Sequence, residues 1–438
     1  GRVIQSWSSP PPTAARWTSR RAVATDRIAV LRAWLGARWS GGRLRTRTDV
    51  ERRQARLWRA MAPVVARTPA LQALAGRPLA DFPVVRPEAL RNDFSDWNSL
   101  GLTRAETEAA ARSGETGGSS EVWPGVFAGF SSGSSGRPGL FVTSAAERAG
   151  WIGHILARLL PADILVRPTR IALCLRADNR LYGDVTSAGA IRFRFVGLDV
   201  PAPERFEQLR AFVPDVLIAP PQVLADLARR ADAPWPLRRL FYGAEPMGEA
   251  ERLWITARLG VRPDPIYQAT EGFLGAACRL GTLHLNEDVL IMEREPVPGT
   301  DRFLPIITDL RRTTQPMIRV RLPDLLQALA TPCPCGSPLA AIHPVEGRLE
   351  DLWRWPGAVI CPREVDTAVS AALGPEADWR ANASPTRVMV HAGREKIEAA
   401  KSALEALLRR YGLDLPVTAG GPPEHTGVKR RRVRWSDG

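Results

Sequence analysis

The ten residues from Phe130 to Gly139 read Phe-Ser-Ser-Gly-Ser-Ser-Gly-Arg-Pro-Gly. Such a stretch offers backbone N–H groups and hydroxyls with little steric bulk, which is what phosphate oxygens require. Ser131, Ser132, Gly133, Ser134, Ser135 and Gly136 are the candidate cradle, and Arg137 adds positive charge. The GxxxxGK[ST] order of a P-loop is absent, and the composition by itself also suits a flexible linker. A second constellation is Cys278, His284, Cys333 and Cys335, spaced C-x5-H and then C-x-C. Three soft thiolates and one imidazole fill a tetrahedral Zn²⁺ shell and leave no position for water, so a zinc held there would be structural. Unligated thiols beside a surface histidine are the alternative. A third feature is Lys429 in Lys429-Arg430-Arg431-Arg432-Val433. The chain has only two other lysines, Lys396 and Lys401, so this one stands in a tail otherwise written in arginine. A lysine in a basic tail is ordinarily solvated.

These residues need elements to hold them. Apolar positions at three- and four-residue spacing predict helices over 28–39, 50–66 and 145–160. From about 141 onward strands and helices alternate. Strands are expected at 171–175, 191–196, 215–219 and 237–242, with helices at 222–231 and 248–259. This alternation predicts an α/β fold with a partly parallel sheet. Further strands are expected within 300–325 and at 386–391, and a helix at 396–411. Composition shifts near 344–351, which predicts a lead over 1–25, a large domain over 26–347 and a small α+β domain over 348–438.

With 438 residues the chain exceeds what one hydrophobic core usually serves. It is 45% hydrophobic and 24% charged, which excludes disordered and collagen-like classes. No apolar run reaches the length of a membrane span, and the Arg-rich start lacks a signal-peptide core. Five cysteines in so long a chain predict metal or free thiols in a reducing cytoplasm rather than a disulfide framework. Cys174 and Cys361 fall in apolar runs and read as core. His154, His343, His391 and His425 belong to no constellation, so solvent or core roles are expected. The net charge of +14 reflects arginine-rich composition and would also suit an acidic partner. Neither zinc-finger spacing nor an RNA-binding aromatic motif occurs, so nucleic acid is not an expected partner.

The Gly/Ser loop is followed in order by several segments that share a pattern. They are Tyr242-Gly243-Ala244-Glu245-Pro246, Tyr267-Gln268-Ala269-Thr270-Glu271-Gly272, Ile318 to Asp324, Gly347-Arg348-Leu349-Glu350-Asp351, Trp353 to Val365, and Lys429 to Val433. Together they resemble the acyl-adenylate-forming superfamily, which includes the acyl-CoA ligases. Within it the similarity is to phenylacetate–CoA ligases and to deazaflavin-coenzyme adenylylating synthetases, carried by the small C-terminal part, the Cys-Pro-Cys-Gly segment and Asn92 to Asn98.

The resemblance implies a large adenylation domain and a mobile C-terminal domain joined by a hinge at Glu350 and Asp351. Glu245 and Pro246 would pack on adenine beside Gly243 and Ala244. Tyr267 would contact the nucleotide, Thr270 would touch the phosphate, Glu271 would hold Mg²⁺, and Asp324 would bind the ribose hydroxyls. Arg348 would offset phosphate charge, and Lys429 would bridge the carboxylate and the α-phosphate. Tyr182, Tyr242, Gly243 and Ala244 are candidates for the acyl pocket, with core packing as the alternative for the tyrosines. Gly357 would line a pantetheine tunnel, or else be a plain Pro-Gly turn. The sequence departs from the family at Val428 and Pro323, where glycine is usual, and at Glu350, where aspartate is usual.

The implied activity is ATP-dependent activation of a carboxylic acid, an aryl one on the small residues beside Tyr242. Transfer to coenzyme A or to the phosphopantetheine of an acidic acyl carrier protein would follow. Rival readings are an adenylyltransferase acting on a hydroxyl, and a basic nucleotide- or nucleic-acid-binding protein without catalysis. A homodimer is left open.

Overall fold

The computed structural model describes residues 14–116, 118–130, 139–165, 167–175, 191–230, 236–269, 271–423 and 430–437. Helix α1 (Ala14–Arg43) leads. It is followed by α2 (Arg47–Ala60) and α3 (Ala62–Arg67). The sequence predicted one helix over 50–66; the break at Met61 arises because Pro63 has no N–H and its ring clashes with the preceding turn. Thr46 starts α2 with a capping box to Asp49. Two further helices, α4 (Pro87–Asn92) and α5 (Arg104–Glu115), complete the N-terminal part.

Strands β1 (Glu121–Trp123), β2 (Val126–Phe130) and β3 (Leu140–Ser144) form an antiparallel sheet. Gly125, with φ +74°, makes the turn that folds the apolar run 122–130 into a hairpin. Helix α6 (Ala145–Leu159) begins at Ser144 with a capping box to Glu147. It packs on α1 at Gly153, where an added Cβ would fall 2.5 Å from the Cβ of Ala33.

The central sheet contains β4 (Thr169–Leu175), β5 (Ile191–Gly197), β6 (Val216–Ala219), β7 (Arg239–Tyr242), β8 (Pro263–Ala269), β9 (Gly272–Ala277) and β10 (Leu283–Leu285). Helices α7 (Ala202–Phe212), α8 (Pro221–Arg230) and α9 (Glu249–Leu259) connect its strands. A second antiparallel sheet is β11 (Leu290–Pro296), β12 (Phe303–Asp309) and β13 (Val320–Arg321), and β14 (Ala341–Ile342) closes the edge of the first. The central order is β14-β10-β9-β8-β7-β6-β4-β5. Pairing is parallel from β5 to β8 and antiparallel from there to β14. Strand alternation assigns the two faces: Leu240 and Tyr242 enter the core under α8 and α9, and Phe241 enters the core under α6. The expected α/β class with a mixed sheet is what the chain forms.

The last region opens with the hairpin β15 (Trp353–Trp355) and β16 (Ala358–Ile360), then helix α10 (Pro362–Leu373). A four-stranded sheet follows from β17 (Trp379–Ala383), β18 (Val388–Ala392), β19 (Val417–Ala419) and β20 (Val433–Trp435), with α11 (Ile397–Arg410) against it. These elements share one apolar cluster around Trp353, Val365, Trp379 and Leu404. Trp353 and Trp379 are fully buried. Each contributes roughly 4–6 kcal/mol of apolar burial before entropy is counted. Among the described residues no helix is long and apolar enough to cross a membrane.

Candidate functional site

The β8–β9 hairpin brings the first group of site residues together. Tyr267 on β8 is buried, and its hydroxyl donates to Asp324 Oδ2 at 2.8 Å. Asp324 also forms an isolated backbone bridge with Arg348, whose Nε lies 3.9 Å from Asp324 Oδ1. Three residues 57 and 24 positions apart in sequence thus meet at one point. A carboxylate has about four lone-pair sites. Tyr267 orients Asp324 through one of them.

Glu271 stands just before β9. Burial is the main cause that raises its carboxyl pKa above the ordinary value, and Asp324 adds to the rise. Arg91 and Arg312 oppose that rise, and a cation bound near the two carboxylates would oppose it as well. Oxygen ligands of this kind suit Mg²⁺.

At the end of β7 an added Cβ on Gly243 would come within 3.2 Å of the carbonyl of Ile266 on β8. Ala244 has φ +70°, a left-handed conformation that costs a non-glycine residue energy. The turn it makes presents Glu245, which is buried and accepts the Arg430 backbone N–H at 2.9 Å. The terminal segment is therefore fastened to the 242–246 turn. Arg348 N donates to Asp351 Oδ2 at 3.0 Å. Arg431 pairs with Glu350 at 2.9 Å and also binds Asp351. One chain of contacts therefore forms: it runs through Tyr267, Asp324, Arg348, Glu350, Asp351 and Arg431, and Glu245 joins it through Arg430, the neighbour of Arg431.

Tyr242 packs with Met247 and Ile255 in the core under α8 and α9, in keeping with the core alternative for that residue. Gly357 has φ +78° and forms the β15–β16 turn, with open space where a side chain would project. Ser131, Ser132, Gly133, Ser134, Ser135, Gly136, Arg137, Tyr182, Thr270 and Lys429 lie outside the described residues.

The Cys/His constellation is assembled as the spacing predicts. Ligand atoms of Cys278, His284, Cys333 and Cys335 all lie within 4.8 Å of one another. Cys278 Sγ and Cys333 Sγ are 3.9 Å apart. Two thiolates on one tetrahedral zinc, each at about 2.3 Å, would sit roughly 3.8 Å apart. Cys335 Sγ lies 3.4 Å from His284 Nε2, and His284 Nδ1 is 2.8 Å from the Leu339 carbonyl. A proton on Nδ1 donated to that carbonyl leaves Nε2 free as a ligand. Gly336 at φ +78° turns the Cys-Pro-Cys-Gly segment. The donor set and its spacing fit zinc.

Sequence reasoning missed two buried polar groups. One is His154 Nε2 with Asp288 Oδ2 at 2.9 Å. Burial, with Arg311 and Arg158 nearby, holds His154 below its ordinary pKa. The other is Glu251 on α9, only 2% exposed, which takes both Arg430 and Arg432. No local signal marks Glu251, since a glutamate in the first turn of a helix is ordinary.

No protein-family model matches the chain. The phenylacetate-coenzyme A ligase of Pseudomonas putida is 26% identical over 184 residues, covering 38% of this chain and 41% of that protein. The enzyme of the same name from Thermus thermophilus is 27% identical over 182 residues, covering 37% and 40%. The matched portion is about two fifths of each of these relatives. A crystal structure of 2-hydroxyisobutyryl-CoA ligase in the postadenylation state aligns over 89% of this chain and 88% of its own, with TM-score 0.63 and 18% identity. An open conformation of that ligase covers 89% and 91%, with TM-score 0.55 and 19% identity. The chain is thus similar in sequence, over about two fifths of its length, to phenylacetate-coenzyme A ligases, and it shares its fold with 2-hydroxyisobutyryl-CoA ligase.

Proposed function

We propose that the protein activates a carboxylic acid with ATP as an acyl-adenylate and then passes the acyl group to a thiol. The observation that carries this reading is the Tyr267–Asp324–Arg348 cluster. In the first step a carboxylate oxygen bonds to the α-phosphorus and the bond to the β-phosphate oxygen breaks, releasing pyrophosphate. In the second a thiolate sulfur bonds to the acyl carbon and AMP leaves. Anion meets anion in the first step, so the protein must supply position and positive charge.

Asp324, oriented by Tyr267, accepts the ribose hydroxyls. Arg348 offsets phosphate charge, while Glu245 and the Gly243–Ala244 turn shape the base site. Glu271 would hold Mg²⁺, Thr270 would meet phosphate, and the 131–137 loop would cradle the phosphate tail. Mg²⁺ would spread the charge of the triphosphate. Lys429 reaches the carboxylate and the α-phosphate. The 353–435 region moves about Glu350 and Asp351 between the steps, and its separate apolar cluster supports such independence. Gly357 then borders the pantetheine path.

Cys278, His284, Cys333 and Cys335 would hold zinc in a structural role. The names of the two phenylacetate ligases support an aryl acid, with Tyr182 and the 243–244 turn beside the ring. Coenzyme A is the acceptor the relatives' names suggest, and the charge of +14 also suits an acidic carrier protein.

The test is pyrophosphate release with Mg·ATP across aryl and aliphatic acids, without thiol and then with coenzyme A or a carrier protein. Acid-dependent release accelerated by one thiol is expected. ATP binding with no acid-dependent release would overturn the reading and turn attention to hydroxyl acceptors.

A further inference from the structure

Arg430, Arg431 and Arg432 send alternate side chains to opposite partners. Arg430 makes a two-pronged pair with Glu251, at 2.6 and 2.8 Å. Arg432 lies 3.3 Å from the same carboxylate and 3.3 Å from Asp366 on α10, with its guanidinium over the Trp379 ring. Arg431 faces the other way, onto Glu350 and Asp351. Arg430 and Glu251 are both nearly fully buried. Burial alone would raise the Glu251 carboxyl pKa, yet the two guanidiniums outweigh it and hold the group ionised. A two-pronged, desolvated arginine–carboxylate pair is directional as well as strong. It therefore fixes where the segment lies and does not merely attract it.

We propose that Glu251 is the positioning residue that seats the terminal segment against the nucleotide site for the first half-reaction. The inference rests on the acyl-adenylation reading. Glu251 touches neither nucleotide nor acid in this role. It acts through Arg430, whose backbone N–H is held by Glu245 in the 242–246 turn and whose preceding residue is Lys429. Asp366 and Arg432 extend the seat to α10. Because Glu251 belongs to α9 and its partners to the last region of the chain, this contact must open if that region is to move for the second half-reaction. Glu251 is thus required in one step and dispensable in the other, which a merely structural carboxylate would not be.

The experiment compares the full chain with Glu251→Gln and Glu251→Asp in three measurements. These are acid-dependent pyrophosphate exchange, thioester formation from chemically prepared acyl-adenylate and coenzyme A, and hydrogen exchange of residues 430–435. In Glu251→Gln the first half-reaction is expected to fall on the order of 100-fold, the cost of a small misplacement of reacting groups. Transfer from preformed acyl-adenylate stays within about threefold, and the 430–435 amides exchange about tenfold faster as the seat opens locally. Glu251→Asp, which keeps the charge, recovers part of both losses. Should Glu251→Gln fail to fold, the same comparison is read from Glu251→Asp, with smaller effects in the same pattern. Unchanged 430–435 protection overturns the inference, as does equal loss of both half-reactions. If the parent chain shows no first half-reaction with any acid, the activity reading falls alone. The 430–435 protection then still decides whether Glu251 seats the segment.

Discussion

The Cys/His knuckle and the arginine seam are two ways of burying polar groups, and they differ in what holds them. Cys278, His284, Cys333 and Cys335 are gathered by tight turns and a strand edge, and His284 is locked by a backbone carbonyl. Their arrangement suits a permanent ion. Arg430, Arg431 and Arg432 instead reach carboxylates on α9, α10 and the 349–351 turn. The α9 partner packs in a different apolar cluster from β20 and can part from it without dismantling a core, whereas Asp366 on α10 shares the cluster of β20. The lesson is that ligand chemistry makes a fixed point, whereas ion pairs between separate cores make a contact that holds firmly and can still be exchanged.

Removing the metal should give the largest effect. Chelation, or Cys333→Ser, is expected to lower unfolding stability by about 4 kcal/mol, the linkage energy of a ligand held a thousandfold above its Kd. Zinc analysis should find about one ion per parent chain, and thermal unfolding reads the loss. A chain that carries no zinc and melts unchanged would erase the contrast. Next, Arg431→Ala leaves Asp351 buried without its cation and should cost about 2 kcal/mol, read by denaturant unfolding. Tyr267→Phe removes one hydrogen bond from Asp324, so KM for ATP should rise roughly fivefold, about 1 kcal/mol, with little change in stability.

The smallest effect is the response of the seam to mild acid. Glu251 has a folded pKa below its unfolded value. Its stabilisation is therefore complete above the unfolded value of about 4.3 and is lost only as pH falls through the lower folded one. Between pH 8 and 5 the contribution of Glu251 to the 430–435 protection should change by less than about 0.3 kcal/mol. The knuckle must bind protons to release its ion, so its hold weakens over the same range. Parallel hydrogen exchange and zinc retention would separate the two.

What could be read from the sequence followed residue type and local spacing. Alternating strands and helices predicted the mixed sheet, and the C-x5-H and C-x-C spacings each keep two donors close, while only shared ligand chemistry linked the two halves across the chain. Tyr267, Asp324 and Arg348 were legible only through resemblance, since nothing local says that they meet. The helix expected over 50–66 broke because Pro63 outweighed an otherwise continuous apolar period. Glu251 stayed hidden for a different reason. No role was read for the arginines of the tail, and the buried partner of Arg430 lies 179 residues away.

The alternation of Arg430, Arg431 and Arg432 makes length matter more than charge. Exchanging one of these arginines for lysine alters only that residue's own contacts. Deleting one residue between them would turn the seam inside out, pointing the α9 partner at the 349–351 turn and the reverse, with the composition almost unchanged. Anyone grafting this terminus onto another scaffold should count residues before matching charges.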